Sequence, residues 1–402
     1  MFSGRFSPSV YDHIPGTMHS SIVLASDHTS KSWKLLRSIG QNSVFSSKAM
    51  ETNARIRKSK VTELSNHLRR REGEIVDLEE LMYATIANII STVLTSKNLF
   101  DIEARGNDDY KVTMSVTNEM IENNLTLHLV DFFMVLKGVD FWTKRKAMDQ
   151  YRKLKRTWGG IIKERKSMGR EDSTEDFLHA VLGDSTFTED QIRSTLMELL
   201  IGGTDSTTIT TVWLIVELTK NQEMLSKVRD EMAQVVEGGE LNETLLSECH
   251  YFQACIKETL RLHIPAPMLV PHRAIETCKV NDYMIPKGSM VLVNAWAIAR
   301  DPNYWDDATS FKPERFLDSK IGYLGTHFEY LPFGTGLRMC PGSNVALKNI
   351  QMVVGSLLYH FDWSLPNGAN PTTIDTTEKY STTLKKAKTL LLVPKLRKLI
   401  VK

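Results

Sequence analysis

The residues best suited to chemistry lie in one glycine-rich segment, Phe333–Gly342, near the C-terminal end of the chain. Glycine allows tight turns and lets the backbone approach a flat ligand closely. Cys340 stands just before a predicted helix, where peptide dipoles and free N–H groups favour a thiolate over a thiol. Arg338, two residues earlier, can offer a fork of N–H donors to a carboxylate. The segment therefore presents a thiolate ligand for a metal ion beside a partner for an acidic group.

A lone cysteine in a turn is usually an inert, buried thiol, and we expect this of Cys249, Cys255 and Cys278. Around Cys340, however, the pattern Phe-x-x-Gly-x-Arg-x-Cys-x-Gly is complete, and it resembles the haem-binding loop of cytochromes P450. The resemblance implies that Cys340 binds the iron of haem b as a thiolate, which promotes O–O cleavage. By the same resemblance, further cofactor contacts come from Phe333, Gly336 and Arg338.

A second candidate segment is Gly202–Thr207, which contains Asp205 and Ser206 in the middle of a predicted helix. Dioxygen reduction needs two protons, and an acid beside a hydroxyl can hold and relay a water. In register with the cysteine loop, the segment resembles the oxygen-activation motif of the family, which makes Asp205 and Ser206 the expected catalytic residues. Ser206 stands where the family usually has Thr; it keeps the hydroxyl but is less restrained at χ1.

Glu258 and Arg261 are three residues apart, so they share one face of a predicted helix and can pair. An isolated pair of this kind is usually a surface ion pair of little energetic value. The segment Phe311–Phe316 resembles the family segment that adds a second arginine, Arg315. The resemblance implies a buried structural network that holds the loop behind the haem.

The resemblance also implies contacts at the edge of the cofactor and with the substrate. Trp33 and Arg37 lie four residues apart and face the same way, so both are expected to reach a haem propionate. His272 is expected to donate to the other propionate, with the adjacent Arg273 as the alternative. Residues in register with the family's substrate contacts, for which core packing is the alternative, are Leu199, Ile201, Gly202, Ala266, Met268, Leu269, Thr382 and Thr383.

The elements that must position these residues are mostly helices. A capping box at Thr188 and Gln191 predicts the start of a helix that continues to about Leu218, roughly 45 Å at ~1.5 Å per residue. Other predicted helices are Lys48–Leu68, Leu78–Leu94, Met148–Lys166, Gln222–Val236, Tyr251–His263 and Ser343–Tyr359. Predicted strands are Met268–Val270, Thr277–Val280, Met290–Trp296 and a tail hairpin over Tyr380–Pro394. We expect a mainly α chain with a small β component: the cytochrome P450 fold, as one haem domain over residues 1–402.

The composition of the chain, and the part of the family's chain that it resembles, limit the functions to be considered. The 50 basic and 48 acidic side chains give a net charge of +2, which does not favour nucleic-acid binding. No apolar run reaches the ~18 residues of a membrane span, although Leu127–Lys146 suits either a membrane surface or the core. The resemblance begins partway into the family's chain, without the anchor, hinge, first helix and first strands. We therefore expect a fragment, or else a natural truncation, with unpaired strand edges at Met290–Trp296.

Three functions stay open at this stage. The first is a monooxygenase of the plant microsomal branch, similar to the geraniol-hydroxylase and N-methylcoclaurine-hydroxylase types, which inserts one oxygen atom from O2 into a small lipophilic terpenoid or alkaloid. The resemblance places it at the cytosolic face of the endoplasmic reticulum membrane. Electrons would come from an NADPH-dependent reductase, met by basic residues such as Lys31, Lys34 and Lys348. The alternatives are a haem-thiolate phenol-coupling oxidase or mutase without oxygen insertion, and an inactive truncated chain.

Overall fold

The computed structural model describes residues 4–5, 31–103, 141–167, 175–236, 240–380 and 383–398, and helices dominate these ranges. The helices are α1 Lys31–Gly40, α2 Ser47–Thr52, α3 Ala54–Arg70, α4 Leu78–Thr95, α5 Phe141–Ser167, α6 Phe177–Leu182, α7 Glu189–Lys220, α8 Gln222–Val236, α9 Glu243–Glu248, α10 His250–Leu262, α11 Ala295–Ile298 and α12 Ser343–His360. The predicted stretch Leu127–Lys146 lies mostly outside the described residues. The mainly α prediction is confirmed.

The central element is α7, and its start is the predicted capping box. The Thr188 side chain accepts a hydrogen bond from the Gln191 backbone N–H at 3.2 Å, and the Gln191 side chain accepts one from the Thr188 N–H at 2.9 Å. Among the described helices, α7 is also the one long and apolar enough to cross a membrane, but 78% of its apolar window is buried inside the protein. It is therefore the core helix of the fold, packed most extensively against α4.

Two adjacent glycines in α7 face different surroundings. A Cβ atom built on Gly203 would lie 2.7 Å from Cδ1 of Ile90, so glycine is what allows α4 to pack this close to α7. A Cβ atom built on Gly202 would meet no heavy atom within 4 Å. The helix is continuous through both residues, so the pair marks a packing contact on one side and an open face on the other.

Ten short strands form four small antiparallel sheets in the described residues. They are β1 Gly4–Arg5, β2 Val76–Asp77, β3 His272–Arg273, β4 Cys278–Val280, β5 Tyr283–Ile285, β6 Met290–Val291, β7 Phe361–Ser364, β8 Glu378–Tyr380, β9 Leu384–Lys386 and β10 Leu391–Leu396. The strand orders are β1-β3-β6, β2-β10-β7, β4-β5 and β8-β9. The β6 strand is an edge strand of its described sheet.

Three strand predictions need correction. The segment Met268–Val270 is a turn rather than a strand, because Leu269 adopts the left-handed conformation at φ 49°, and the strand begins only at His272. The segment predicted as Met290–Trp296 keeps strand geometry only over Met290–Val291, because Asn294 caps the next helix by accepting from the Ala297 N–H.

The third correction concerns the tail, which was predicted as one hairpin over Tyr380–Pro394. The hairpin is formed instead by β8 and β9. The β10 strand, which overlaps the end of the predicted hairpin, pairs with β2 on one side and β7 on the other. We refer below to residues 378–386, of which 381 and 382 lie outside the described residues, as the tail hairpin.

The packing of α12 generates the first prediction. A Cβ atom built on Gly355 would lie 2.7 and 2.9 Å from the two Cδ atoms of Leu246 on α9. Gly355→Ala should therefore lower stability, since overpacking costs about 1–3 kcal/mol and the better helix propensity of Ala returns only about 1 kcal/mol. Chemical denaturation measures the change.

The matched control is Gly160→Ala in α5, where a built Cβ meets nothing within 4 Å. That variant should keep or raise the denaturation midpoint, by up to about 1 kcal/mol of helix propensity. Equal midpoints for the two variants would contradict the close approach of α9 and α12 at Gly355.

Candidate functional site

The cysteine loop, Phe333–Gly342, is shaped by two glycines in the left-handed conformation. Gly334 and Gly336 both have φ near 69°, which side-chain-bearing residues rarely adopt. These turns fold the segment back on itself, so that the Cys340 N–H donates to the carbonyl oxygen of Phe333 at 3.0 Å. The loop then enters α12 three residues after Cys340. The backbone thus fixes where the cysteine stands relative to the helix start.

The four cysteines fall into two environments. Cys340 is exposed, whereas Cys249, Cys255 and Cys278 are buried. Burial, followed by the charges of Glu231 and Glu248, raises the pKa of the Cys249 thiol to about 12. Burial also raises the pKa of the Cys255 thiol well above its ordinary value. Those two thiols stay protonated and inert, which leaves Cys340 as the accessible sulfur.

The N-terminal turn of α1 lies against the cysteine loop. The guanidinium carbon of Arg338 is 5.0 Å from the ring centre of Trp33, and that of Arg37 is 5.5 Å from the same ring. Arg338 is buried and Arg37 is half-buried, so both guanidinium groups contact the indole where little water reaches them. Gathering two guanidinium groups on one indole suits an acidic group between them. The fold therefore brings Arg338 to the same ring as Arg37, from a distant part of the chain.

His272 lies on the middle strand of the β1-β3-β6 sheet, opposite Arg5 on one side and Val291 on the other. It is half-buried, and the adjacent Arg273 is exposed. The alternation of strand side chains sends the two residues to opposite faces of the sheet. Of the two, His272 is thus the one on the more enclosed face.

The structure brings Glu258, Arg261 and Arg315 into one network. Arg261 donates from Nε and Nη2 to the two oxygens of Glu258 at 2.8 Å each, and Arg315 Nε donates to Glu258 Oε1 at 3.1 Å. The side chains of Glu258 and Arg261 have no exposed surface. A fork of this kind supplies the paired hydrogen bonds that a buried carboxylate requires.

Additional partners of the network were not apparent from the sequence. Arg261 Nη1 donates to the carbonyl oxygens of Ala299 and Ala308 at 2.6 and 2.7 Å, and its guanidinium carbon lies 5.3 Å from the ring centre of Trp305. The backbone N–H of Lys312 donates to Glu258 Oε1 at 2.8 Å. These contacts fasten α10 to the long segment that leads into the cysteine loop.

Asp205 and Ser206 lie on α7 next to the open face at Gly202. Asp205 is buried and Ser206 is half-buried. The Ser206 hydroxyl donates to the Gly202 carbonyl oxygen at 2.8 Å. Oδ2 of Asp205 accepts a hydrogen bond of 2.7 Å from the hydroxyl of Thr383 in the tail hairpin. From the sequence, Thr383 is expected only to bind substrate, so this last contact is not predicted. Thr382, the neighbouring substrate candidate, lies outside the described residues.

A further carboxyl group in this region, Glu79 in the first turn of α4, was also missed. Burial raises its pKa, the nearby Lys385 lowers it, and the charges of Asp77 and Asp205 raise it again, with a net shift upward. No sequence motif marks Glu79, which is one of several acidic residues near Asp77. The structure thus adds a carboxyl group whose electrostatic environment includes Asp205.

The remaining candidate substrate contacts lie on two elements, α7 and the turn after α10. Leu199 is half-buried, Ile201 is buried and Gly202 is exposed on α7. The turn after α10 holds the half-buried residues Ala266, Met268 and Leu269. A Cβ atom built on Gly334 would lie 3.7 Å from Cδ1 of Leu269, so this turn contacts the cysteine loop.

Comparison with known proteins gives one family. The family described as cytochrome P450 matches residues 1–393. The probable (S)-N-methylcoclaurine 3'-hydroxylase isozyme 2 of Coptis japonica is 37% identical over 401 residues, covering 99% of this chain and 80% of that protein. Geraniol 8-hydroxylase of Catharanthus roseus is 37% identical over 372 residues, covering 90% and 75%.

Solved structures agree in fold. A zebra fish cytochrome P450 solved with progesterone superimposes with a TM-score of 0.81 at 22% identity, covering 98% of this chain and 89% of that one. A second zebra fish structure, solved with abiraterone, gives a TM-score of 0.79 over 98% of this chain. Together with the family match, these likenesses confirm the predicted fold.

The buried network generates the second prediction. Glu258→Gln removes the charge that compensates the fully buried Arg261 guanidinium, so the variant should lose about 3 kcal/mol or more of stability. The denaturation midpoint reports this loss. Glu223→Gln, which breaks an ion pair with Lys227 at a side chain 84% exposed, is the control and should leave the midpoint unchanged. A midpoint for Glu258→Gln equal to that of the control would contradict the role of the network.

Proposed function

The chain belongs to the cytochrome P450 family, a family of haem-containing monooxygenases, and from this premise we propose that it inserts one oxygen atom from O2 into a small lipophilic alkaloid or terpenoid. The observation that carries the proposal is the exposed Cys340 on a glycine-shaped loop at the start of α12. The names of relatives, which include N-methylcoclaurine and geraniol hydroxylases and a tabersonine epoxidase, support the substrate class.

The residues present fit haem b. Cys340 is exposed, and a Cβ atom built on Gly336 in its loop would meet nothing within 4 Å; the same holds for Gly202 on α7. Both backbones therefore leave room for a flat group, which is the use of glycine at such positions. Arg338 and Arg37, gathered on Trp33, would bind the propionates. Bound through a thiolate, haem activates dioxygen and favours O–O cleavage.

The cysteine loop would hold the ligand in one conformation. The hydrogen bond from the Cys340 N–H to Phe333 fixes the backbone on the cysteine side. The start of α12 offers free N–H groups and a positive dipole end, which favour the anionic sulfur. The loop would therefore hold the sulfur in position before the iron binds.

On α7, Asp205 and Ser206 would move protons. The Ser206 hydroxyl donates to the Gly202 carbonyl oxygen, so the Ser206 oxygen can accept a hydrogen bond from a water. Asp205, buried one residue earlier, would return protons to that position. Positioned acid–base groups typically contribute 10²–10⁴-fold. Substrate would enter between Leu199, Ile201 and Gly202 on α7 and the turn Ala266–Leu269.

We further propose that electrons come from an NADPH-dependent reductase and that the protein acts at the cytosolic face of the endoplasmic reticulum membrane, with residues 1–402 in one haem domain. Lys31 and Lys34 are exposed on α1, next to the cysteine loop, where an acidic reductase surface could meet them. Lys348 is less suited, because it is half-buried and donates to Ser247 at 2.8 Å. His272, on the enclosed face of its sheet, is proposed to contact the second propionate.

The third prediction tests the ligand. Cys340→Ala should abolish the red-shifted, thiolate-type Soret band in the carbon-monoxide difference spectrum of the reduced protein, because no other described cysteine is exposed. Cys278→Ala, which removes a sulfur buried in β4, is the matched control and should keep the band. A thiolate-type band in Cys340→Ala would show that another residue binds the iron.

The fourth prediction tests the reaction. With reductase, NADPH and a panel of alkaloids and terpenoid alcohols that includes N-methylcoclaurine and geraniol, the product should carry one oxygen atom from isotopically labelled O2. Mass spectrometry measures the label, and unlabelled O2 in labelled water is the control. A product that forms without label would indicate coupling or rearrangement instead, and a wild-type protein without the Soret band would indicate an inactive chain.

A further inference from the structure

The tail hairpin is joined directly to the candidate proton-relay residue. Thr383 is half-buried, and its hydroxyl donates to Oδ2 of Asp205 at 2.7 Å. The two residues are 178 positions apart in the chain. The bond is short and its acceptor is buried, so it is of the strong, charge-assisted kind when Asp205 is ionised.

Two other contacts hold Thr383 in place. The next residue, Leu384, donates from its backbone N–H to the carbonyl oxygen of Pro265 at 2.9 Å. At the start of the hairpin, Oε1 of Glu378 lies 3.2 Å from Nδ1 of His263, whose Nε2 lies 2.8 Å from Oε1 of Glu217 on α7. The hairpin is thus fixed on both sides of Thr383, and the hydroxyl has little freedom to leave Asp205.

The His263 ring makes this anchoring rigid. It stacks on Trp213 of α7, with ring centres 3.9 Å apart and planes only 2° from parallel. His263 and Glu217 are both buried. A ring held by a carboxylate on each nitrogen and by an indole on its face leaves the hairpin only small movements relative to α7.

We propose that Thr383 is a positioning residue for Asp205: it holds Oδ2 toward the hairpin and thereby directs proton transfer through Oδ1. The inference rests on the proposed monooxygenase function and assigns a residue that controls its proton delivery. A carboxylate without this bond rotates about χ2 and exchanges its two oxygens. Protons are then delivered less selectively, and dioxygen that has taken up two electrons from the reductase and two protons leaves as hydrogen peroxide instead of losing one atom as water.

Charged groups around Asp205 are consistent with this role. Glu79 on α4 has a pKa raised by burial and, after the lowering effect of Lys385, by the charges of Asp77 and Asp205. Lys386 on β9 is largely buried and also interacts with Glu79. Lys385 and Lys386 thus offset part of the negative charge around Glu79.

The experiment compares four variants of the haem-loaded enzyme with its reductase. Thr383→Val keeps the shape and removes the donor, and Thr383→Ser keeps the donor. Thr389→Val is the matched control, because Thr389 in the same tail donates to Asp77 Oδ1 at 2.8 Å rather than to Asp205. Asp205→Asn sets the effect of losing the acid itself. The readouts are the fractions of NADPH electrons found in product and in hydrogen peroxide, each measured across pH.

Thr383→Val should lower the product fraction by roughly 3- to 10-fold, with a matching rise in peroxide. Because the lost bond stabilises the charged carboxylate, the pH profile of product formation should also move upward, by about half to one pH unit. Thr383→Ser should keep the fraction of electrons found in product within about twofold of the wild type. Thr389→Val should match the wild type in both the product fraction and the pH profile. A structural role alone would not shift the profile.

A second readout does not depend on turnover. Hydrogen–deuterium exchange of the hairpin amides, residues 383–386, should be faster in Thr383→Val and unchanged in Thr383→Ser. Wild-type coupling and an unshifted profile in Thr383→Val would overturn the inference, and so would an equal loss in Thr383→Ser. Failure of the proposed function is distinguishable, since it would appear in the wild type as a missing Soret band or an unlabelled product.

Discussion

One buried carboxylate, Glu258, joins the parts of the chain on which the cysteine loop depends. It has no exposed surface, and it accepts hydrogen bonds from two arginines and one backbone N–H. A charge in such a place is tolerable only when all its partners are present. Because Arg261 also binds the carbonyl oxygens of Ala299 and Ala308, the charge pair fixes the largely irregular chain at residues 299–315, before the loop begins.

The α7 side of the site depends on packing rather than on charge. At Gly203 the absence of a side chain lets α4 approach, and at Gly202 it leaves an open face. Both roles fall within one continuous helix, Glu189–Lys220. The helix therefore does not need to break at the glycine pair to make room; the Ser206 hydroxyl bonds to the Gly202 carbonyl oxygen within the helix. Close packing on one side gives Asp205 and Ser206 a fixed position on the other.

Local signals in the sequence predict local structure well here. The capping box at Thr188 sets the start of α7, and the bounds of α8 are those predicted, Gln222–Val236. Predictions fail where distant partners decide. The tail was read as one hairpin, but β10 finds β2 and β7 instead. Motifs mark Cys340 and Asp205 as candidate site residues, whereas the contact between Asp205 and Thr383 has no local signal, because only the fold brings the two together.

The turn after α10 connects the two sides of the site. Leu269 contacts the cysteine loop at Gly334, and the carbonyl oxygen of Pro265 binds Leu384 beside Thr383. This turn follows directly on the helix that carries Glu258 and Arg261, so the buried ion pair sets its position. A disturbance at Glu258 should therefore reach the Asp205 side as well as the cysteine side. The charge network thus supports both the cysteine loop and the turn that binds the tail hairpin.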